Sequence, residues 1–167
     1  MLFRSAFDGV DDYINTELTP FSKEQDFTIL MDIDPSQNTV ASNVIAVKDA
    51  FNITAEGNSP TSLTPYDSAW GWPFNNNVIQ TNGQRTKVAL VFSGGVTSAM
   101  YWKIGNGSLV STTSNGSYKK VITNNPLYIG SYYGSGGEPV LPWKGTVYSF
   151  EVWNRAMTAE EVAENLA

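Results

Sequence analysis

The sequence predicts an all-β fold, a two-sheet antiparallel β-sandwich closed by a short C-terminal helix. Three observations carry this reading. Short segments whose hydrophobicity alternates with a period of two recur along the chain. Turn residues separate them about every ten residues. One helix-start signature stands near the chain's end, where Thr158 lies three residues before Glu161, the spacing at which hydroxyl and carboxylate satisfy each other's backbone donors. Short strands joined by turns, with a single terminal helical turn, read as an antiparallel sandwich rather than a parallel sheet. About a dozen strands are expected, enough for two sheets packed face to face.

Leu2–Ile14 reads as a first strand, a turn at Asp8-Gly9 and a short continuation through Tyr13-Ile14. Asp26–Asp34 is the cleanest strand, with Phe27, Ile29, Met31 and Ile33 on one face and Thr28, Leu30, Asp32 and Asp34 on the other. Asn43–Lys48 and Phe51–Glu56 form a hairpin around Asp49, its apolar side made by Phe51, Ile53 and Ala55. Gly57–Asn77 shows no clear periodicity and holds three prolines and four aromatic residues, so it reads as a long loop of the kind that carries function. Val78–Thr81 and Arg85–Phe92 flank Asn82-Gly83, whose tolerance of positive φ predicts a two-residue hairpin turn. A second hairpin follows, from Gly94-Gly95 into Val96–Ile104. Gly105-Asn106-Gly107 then turns the chain into Ser108–Thr113, Asn115-Gly116 turns it into Tyr118–Thr123, and Asn125-Pro126 precedes Leu127–Ser131. Tyr132–Lys144 is a second candidate loop. In the last strand Thr146, Tyr148, Phe150 and Val152 alternate with Val147, Ser149, Glu151 and Trp153, and the strand stops at Asn154-Arg155. The helix is expected from Ala159 to Leu166.

Composition narrows the function. A chain of 167 residues is one domain's worth, and residues 1–167 are expected to form a single unit. With 10 Lys+Arg against 16 Asp+Glu and a net charge of -6, it offers no basic field for a phosphate backbone, so nucleic acid is not expected as a partner. No apolar run approaches the roughly 20 residues of a membrane span, so no membrane insertion is expected. The chain has no Cys and no His, which removes thiolate nucleophiles, disulfides, the commonest transition-metal ligand and the usual general base. Any catalysis would have to use carboxylates.

The run FDGVDDYI at Phe7–Ile14 and the stretch GTVYSFEVWNRAMTAEE at Gly145–Glu161 together resemble the laminin G-like branch of the concanavalin A-like lectin/glucanase superfamily. Phe27–Pro35, Thr86–Phe92 and Leu127–Gly130 fall where such domains place internal strands. The resemblance implies a jelly roll spanning nearly the whole chain. It also implies a choice among lectins, adhesion modules, structural virion parts and glycosidases, since this fold hosts all of them. Glucanases of the superfamily carry three acidic residues at alternate positions. Here Asp32 and Asp34 are flanked by Leu30 and Ser36, so no catalytic residues are assigned and a glycoside hydrolase using Asp32 and Asp34 is the least favoured reading. Many relatives also carry an acidic residue on the last strand; the matching position here is Tyr148, with Ser149 next.

The residues that most need explaining are Tyr66, Trp70, Trp72 and Phe74 in one loop ending at Asn75-Asn76-Asn77. Sugar rings present flat C–H faces that pack on aromatic rings, while their hydroxyls seek amides and carboxylates. Tyr66, Trp70, Trp72 and Asn75 are therefore candidate ligand-binding residues, with Tyr132, Tyr133 and Trp143 available from the second loop. Trp153 lies within a strand and reads as packing. The leading expectation is a non-enzymatic carbohydrate-binding or adhesion module, part of a phage virion or bacterial surface assembly, acting extracellularly or on a virion surface. The alternative is a structural decoration or assembly protein whose rings pack on a protein partner or in an oligomer, since Trp and Tyr dominate such contacts too. Asp8, Asp11 and Asp12 admit two readings, tight-turn chemistry or a structural calcium site. The sequons beginning at Asn52, Asn106 and Asn115 are read as turn residues.

Overall fold

The computed structural model of the protein describes residues 5–35, 41–55, 62–67, 79–81, 83–94, 96–114, 122–133 and 139–167; the side chains of 66, 67, 96, 97, 132, 133 and 139 are outside that description. In chain order the strands are β1 (Ser5–Asp8), β2 (Ile14–Asn15), β3 (Phe27–Asp34), β4 (Ser42–Val47), β5 (Phe51–Ala55), β6 (Ser62–Asp67) and β7 (Ile79–Gln80). There follow β8 (Thr86–Ser93), β9 (Val96–Ile104), β10 (Val110–Thr113), β11 (Leu127–Ile129), β12 (Tyr132–Tyr133), β13 (Pro139–Val140) and β14 (Lys144–Trp153), and the helix α1 (Ala159–Asn165) closes the chain. A first sheet has the order β1-β14-β3-β8-β9-β10 and a second the order β2-β11-β4-β5-β6-β7, both antiparallel, while β12 and β13 pair as a separate ribbon. The predicted sandwich with a short terminal helix is the observed architecture.

The core fills the space between the sheets because alternate residues of each strand are apolar. Phe27, Ile29, Met31 and Ile33 of β3 and Ile45, Val47, Phe51 and Ile53 of the β4–β5 hairpin belong to one buried cluster. That hairpin is the predicted one, and Asp49 at its turn takes a φ of 63°, a left-handed conformation that Asp tolerates better than most residues. At one end four rings bridge the layers. Phe27 stacks on its cross-strand partner Phe92 at 4.2 Å, Phe51 meets Phe92 edge-on at 5.3 Å, and Phe21 meets Phe27 and Phe92 edge-on at 5.2 and 5.4 Å. Such pairs add about 0.5–1.5 kcal/mol each beyond the area they bury.

At the opposite end Trp143, which the sequence offered as a ring available to a ligand, is completely buried, 5.6 Å from Phe7. Its place depends on two glycines. A Cβ on Gly145 would lie 2.3 Å from the Trp143 ring, and one on Gly130 would lie 2.4 Å from the Phe7 ring.

The outer face of the first sheet is half covered by α1. Val162 and Leu166 join Met157 over Leu30, Ala89, Val91 and Ala99. The predicted capping box is present: Thr158 accepts from the Glu161 N–H, and the Glu161 side chain accepts from the Thr158 N–H at 2.9 Å. Buried Thr28 ties the preceding turn down, donating to the Arg155 carbonyl and accepting from the Met157 N–H. Tyr101 packs on this outer cluster and Trp102 on the core, as opposite faces of one strand require.

Five further expectations are corrected. The strands on either side of Asn82-Gly83 do not form a hairpin: β7 pairs with β6 in the second sheet and β8 with β3 and β9 in the first, so the connection between them is a crossover, with Asn82 itself outside the described residues. β6 lies inside the stretch expected to be a loop; its period is masked by a proline and by flanking turn residues. Strict alternation fails in β14, where a bulge at Tyr148 lets Val147 and Phe150 both face the core. Asn52 is no turn residue but the second residue of β5. Trp153 is 39% exposed, its indole N–H donating to Glu151.

Candidate functional site

The outer face of the second sheet presents hydroxyls and amides where the inner face is apolar. In β5, Asn52 and Thr54 alternate with the core residues Phe51, Ile53 and Ala55. Register places Asn43 of β4 and Thr64 of β6 on either side of Thr54, and Ala46 and Tyr66 on either side of Asn52. The row continues through Tyr128 of β11 to Asn15 of β2. The Asn52 amide donates to Asn43 Oδ1 at 2.9 Å and to Thr54 Oγ1 at 3.1 Å. Asn43 in turn donates to the Val140 carbonyl at 3.3 Å.

These bonds fix the polarity of the patch. Both amide hydrogens of Asn52 are used, so its Oδ1 remains an acceptor; Thr54 Oγ1 already accepts, so its own hydrogen remains to be donated. Neither has a further partner among the described residues. Asn52 and Thr54 are half-buried, while Asn43 and Thr64 beneath and beside them are buried. The Thr64 hydroxyl has no hydrogen-bond partner among the described residues, which costs about 1–3 kcal/mol unless something satisfies it. Asn43, Asn52, Thr54 and Thr64 carry no charge, so the patch suits a neutral ligand rich in hydroxyls.

The strands that carry Tyr66, Tyr132 and Tyr133 lie around this patch. Tyr66 stands in β6 opposite Asn52, with its side chain outside the described residues. Tyr132 and Tyr133 form β12, whose partner β13 runs beside the start of β4: the Asn43 N–H donates to the Leu141 carbonyl, and Ser131 donates to the Val140 carbonyl. The ribbon thus flanks the Ser42–Asn43 end of β4, whereas Tyr66 is two strands away and level with Ala46, so the polar patch lies between them. Their side chains, and all of Trp70, Trp72, Phe74 and Asn75, are outside the described residues. Trp143 leaves the set because it is core. Tyr128 joins it, half-buried in the same row and 6.1 Å from the Tyr13 ring. Asn43, Asn52, Thr54 and Thr64 were missed by the sequence reading, although the alternation of Asn52 and Thr54 with three core residues was a usable signal.

Two acidic groups lie elsewhere. Asp8, Asp11 and Asp12, where the chain crosses from the first sheet to the second, bring carboxylate oxygens within 4.8 Å of one another. Oxygens so clustered fit a hard cation. They also serve the turn: Val10 donates to Asp8 Oδ1 at 2.8 Å and the Asp8 N–H to Asp12 Oδ2 at 2.9 Å, around Gly9 with φ of 81°. Asp32, on the first sheet's outer face, has both oxygens engaged by Arg85 at 2.7 and 2.6 Å, and the guanidinium lies 3.8 Å over the Tyr148 ring. The hydrogen bonds that Arg85 donates to Asp32, ahead of opposing desolvation, raise the pKa of Arg85 above its ordinary value. A carboxylate clamped in this way is not positioned to act as an acid or a nucleophile at a glycosidic bond, which requires a paired carboxyl free to meet the substrate.

Comparison with known proteins gives the following. A laminin G-like family model, described as the concanavalin A-like lectin/glucanases superfamily, matches residues 8–163. No curated protein matches in sequence. Among solved structures, the heptameric SAP-like pentraxin from Limulus polyphemus superposes with a TM-score of 0.66 at 19% identity, covering 98% of this chain and 81% of that one. The CBM40 of Ruminococcus gnavus IT-sialidase, solved bound to α2,6 sialyllactose, gives 0.58 at 13% identity over 99% of this chain and 98% of that one. A NanB sialidase from Streptococcus pneumoniae gives 0.63 at 11% identity, and there the match spans 27% of the sialidase chain. These likenesses are of fold.

Proposed function

The chain belongs to the concanavalin A-like lectin/glucanases superfamily, and from that premise we propose that it is a non-enzymatic carbohydrate-binding module whose ligand lies on the outer face of the second sheet. The observation that carries the proposal is the acceptor and donor pair formed by Asn52 Oδ1 and the Thr54 hydroxyl, which have no further partner among the described residues and are half-buried beside the uncharged Asn43 and Thr64. A sugar carries adjacent hydroxyls that both donate and accept, so such a pair meets two of them at once, and Asn43 locks the amide in the orientation that leaves the acceptor outward. On this reading Tyr66, Trp70, Trp72 and Asn75 wall one side, and Tyr132 and Tyr133 the other, supplying aromatic faces for the ring C–H groups. Were a calcium ion bound, Asp8, Asp11 and Asp12 would hold it.

The absence of His and Cys and the clamping of Asp32 by Arg85 support binding without catalysis. Accessible glycans stand on cell surfaces, so an extracellular or virion-surface assembly is the setting that fits. There a glycan or protein partner would be engaged repeatedly by an oligomer, and linked weak contacts multiply into useful avidity.

A glycan array printed at high density, with neutral and sialylated structures, tests the proposal. Binding is expected, and Thr54→Val, which removes one hydroxyl at nearly constant volume, should weaken it by about tenfold, near 1.4 kcal/mol. Trp70→Ala with Trp72→Ala should weaken it further. A blank array, or binding untouched by both variants while stability falls, would overturn the reading and favour rings that pack on protein.

A further inference from the structure

Resting on the glycan reading of Asn52 and Thr54, we propose that the ligand is a neutral oligosaccharide lying across the strands of the second sheet, with a second subsite formed by Tyr13, Tyr128 and Asn15. The register sets its direction. Tyr66 of β6, Asn52 of β5, Ala46 of β4, Tyr128 of β11 and Asn15 of β2 are successive cross-strand partners, so they form one row at right angles to the strands. Ile14 packs against the core, so Tyr13 and Asn15 on either side of it face outward together with Tyr128.

The far end of that row holds the side chains a sugar needs. The Tyr13 and Tyr128 rings lie 6.1 Å apart and inclined at 54°, Tyr13 exposed and Tyr128 half-buried, so they present ring surface for the C–H face of a pyranose. Asn15 Oδ1 accepts from the Glu17 N–H at 2.9 Å, which fixes the amide and leaves its own N–H donors without a partner among the described residues. Asn52 is the converse, its donors spent and its acceptor left, so the two amides address sugar hydroxyls in opposite senses. Ala46 between them is small and buried, a floor rather than a contact. Asn52 and Tyr128 stand on the strands either side of β4, about 10 Å apart at the usual strand spacing. A pyranose unit is about as long as one such spacing, so a single sugar on Asn52 and Thr54 falls short of Tyr128 and a chain of about three units reaches it. The row itself carries no charge and Asp12 adjoins Tyr13, so a carboxylate on the ligand gains nothing at this end and is repelled.

The experiment takes the neutral trisaccharide of strongest array signal and titrates the ¹⁵N-labelled chain with it, with its constituent disaccharide and with its constituent monosaccharide. Affinity should rise by about tenfold or more from the monosaccharide to the trisaccharide. The amides of Asn15 and Tyr128 should shift with the trisaccharide and stay in place with the monosaccharide. Tyr13→Ala combined with Tyr128→Leu should remove the gain with length, whereas Thr54→Val lowers binding at every length, a split that loss of stability does not produce. Tyr13→Ala alone, at an exposed position, should remove part of the gain at an unchanged melting temperature. Affinity that does not rise with length, a rise kept in both tyrosine variants, or a preference for sialylated over neutral glycans would each overturn the proposal and leave the Asn52 and Thr54 reading standing. A blank array would remove both.

Discussion

At the scale of single residues, the clearest dependence is that of Trp143 on Gly145. The indole is completely buried and a Cβ at position 145 would meet both the ring, at 2.3 Å, and the Asp34 carbonyl, at 2.6 Å. Gly145→Ala should therefore cost about 1–3 kcal/mol as an overpacking change, read from urea unfolding. Trp143→Ala should cost about 3–5 kcal/mol through the cavity it leaves. Trp143→Phe should cost much less than Ala, because the indole N–H has no partner among the described residues and its loss removes an unsatisfied group. The sequence could not make this distinction. Trp143 sits among Pro, Lys and Gly in a segment that reads as loop, and whether a ring becomes a ledge or a plug depends on what the fold sets across from it, here Phe7 from the other end of the chain. Asn52 is the opposite case, a polar residue read as turn chemistry whose neighbours at alternate positions already marked it as one face of a strand.

Elements whose signals are local were legible. β3 alternates over eight residues, the β4–β5 and β8–β9 hairpins have turn residues at their tips, and α1 announces itself by Thr158 and Glu161. What escaped was non-local: Asn82-Gly83 has the composition of a turn, but which strand takes which partner is decided by the sheets, and the Tyr148 bulge exists only because β14 must keep register with β3 on both sides of it. The helix start also gives a pH prediction. Arg155 first, through a 2.6 Å hydrogen bond, and the Thr158 N–H second hold the Glu161 carboxyl below its ordinary value of 4.5. A carboxyl whose pKa is depressed by folding stabilises the folded state above its unfolded pKa and loses that contribution as pH falls through the folded one. Glu161→Gln keeps the reach to the Thr158 N–H and removes the charge. Wild type should melt above the variant at pH 7, with the difference closing as the pH is lowered below 4.5; a gap that persists unchanged at pH 3 would contradict the assignment.

At the scale of the whole molecule, the two sheets share one core and expose unlike outer faces. The first is half roofed by α1 and otherwise charged, with Arg85, Lys87 and Lys103 around Asp32; the second is uncharged across Asn43, Asn52, Thr54 and Thr64. The architecture was readable from period and punctuation, because a sandwich is many local hairpins repeated. The candidate site was readable only in part: the composition of the aromatic stretch suggested a ligand, but Trp70, Trp72, Phe74 and Asn75 lie outside the described residues, while the polar patch is assembled from three strands whose pairing no local pattern states. The measurement that bears most directly on the account is an NMR titration of the labelled chain with a glycan selected on the array. Saturable shifts should be concentrated at the amides of Asn43, Asn52, Thr54, Thr64 and Tyr66, with the side-chain amide of Asn52 among them. A glycan that binds while leaving those signals in place, and moves only residues on the first sheet, would contradict it.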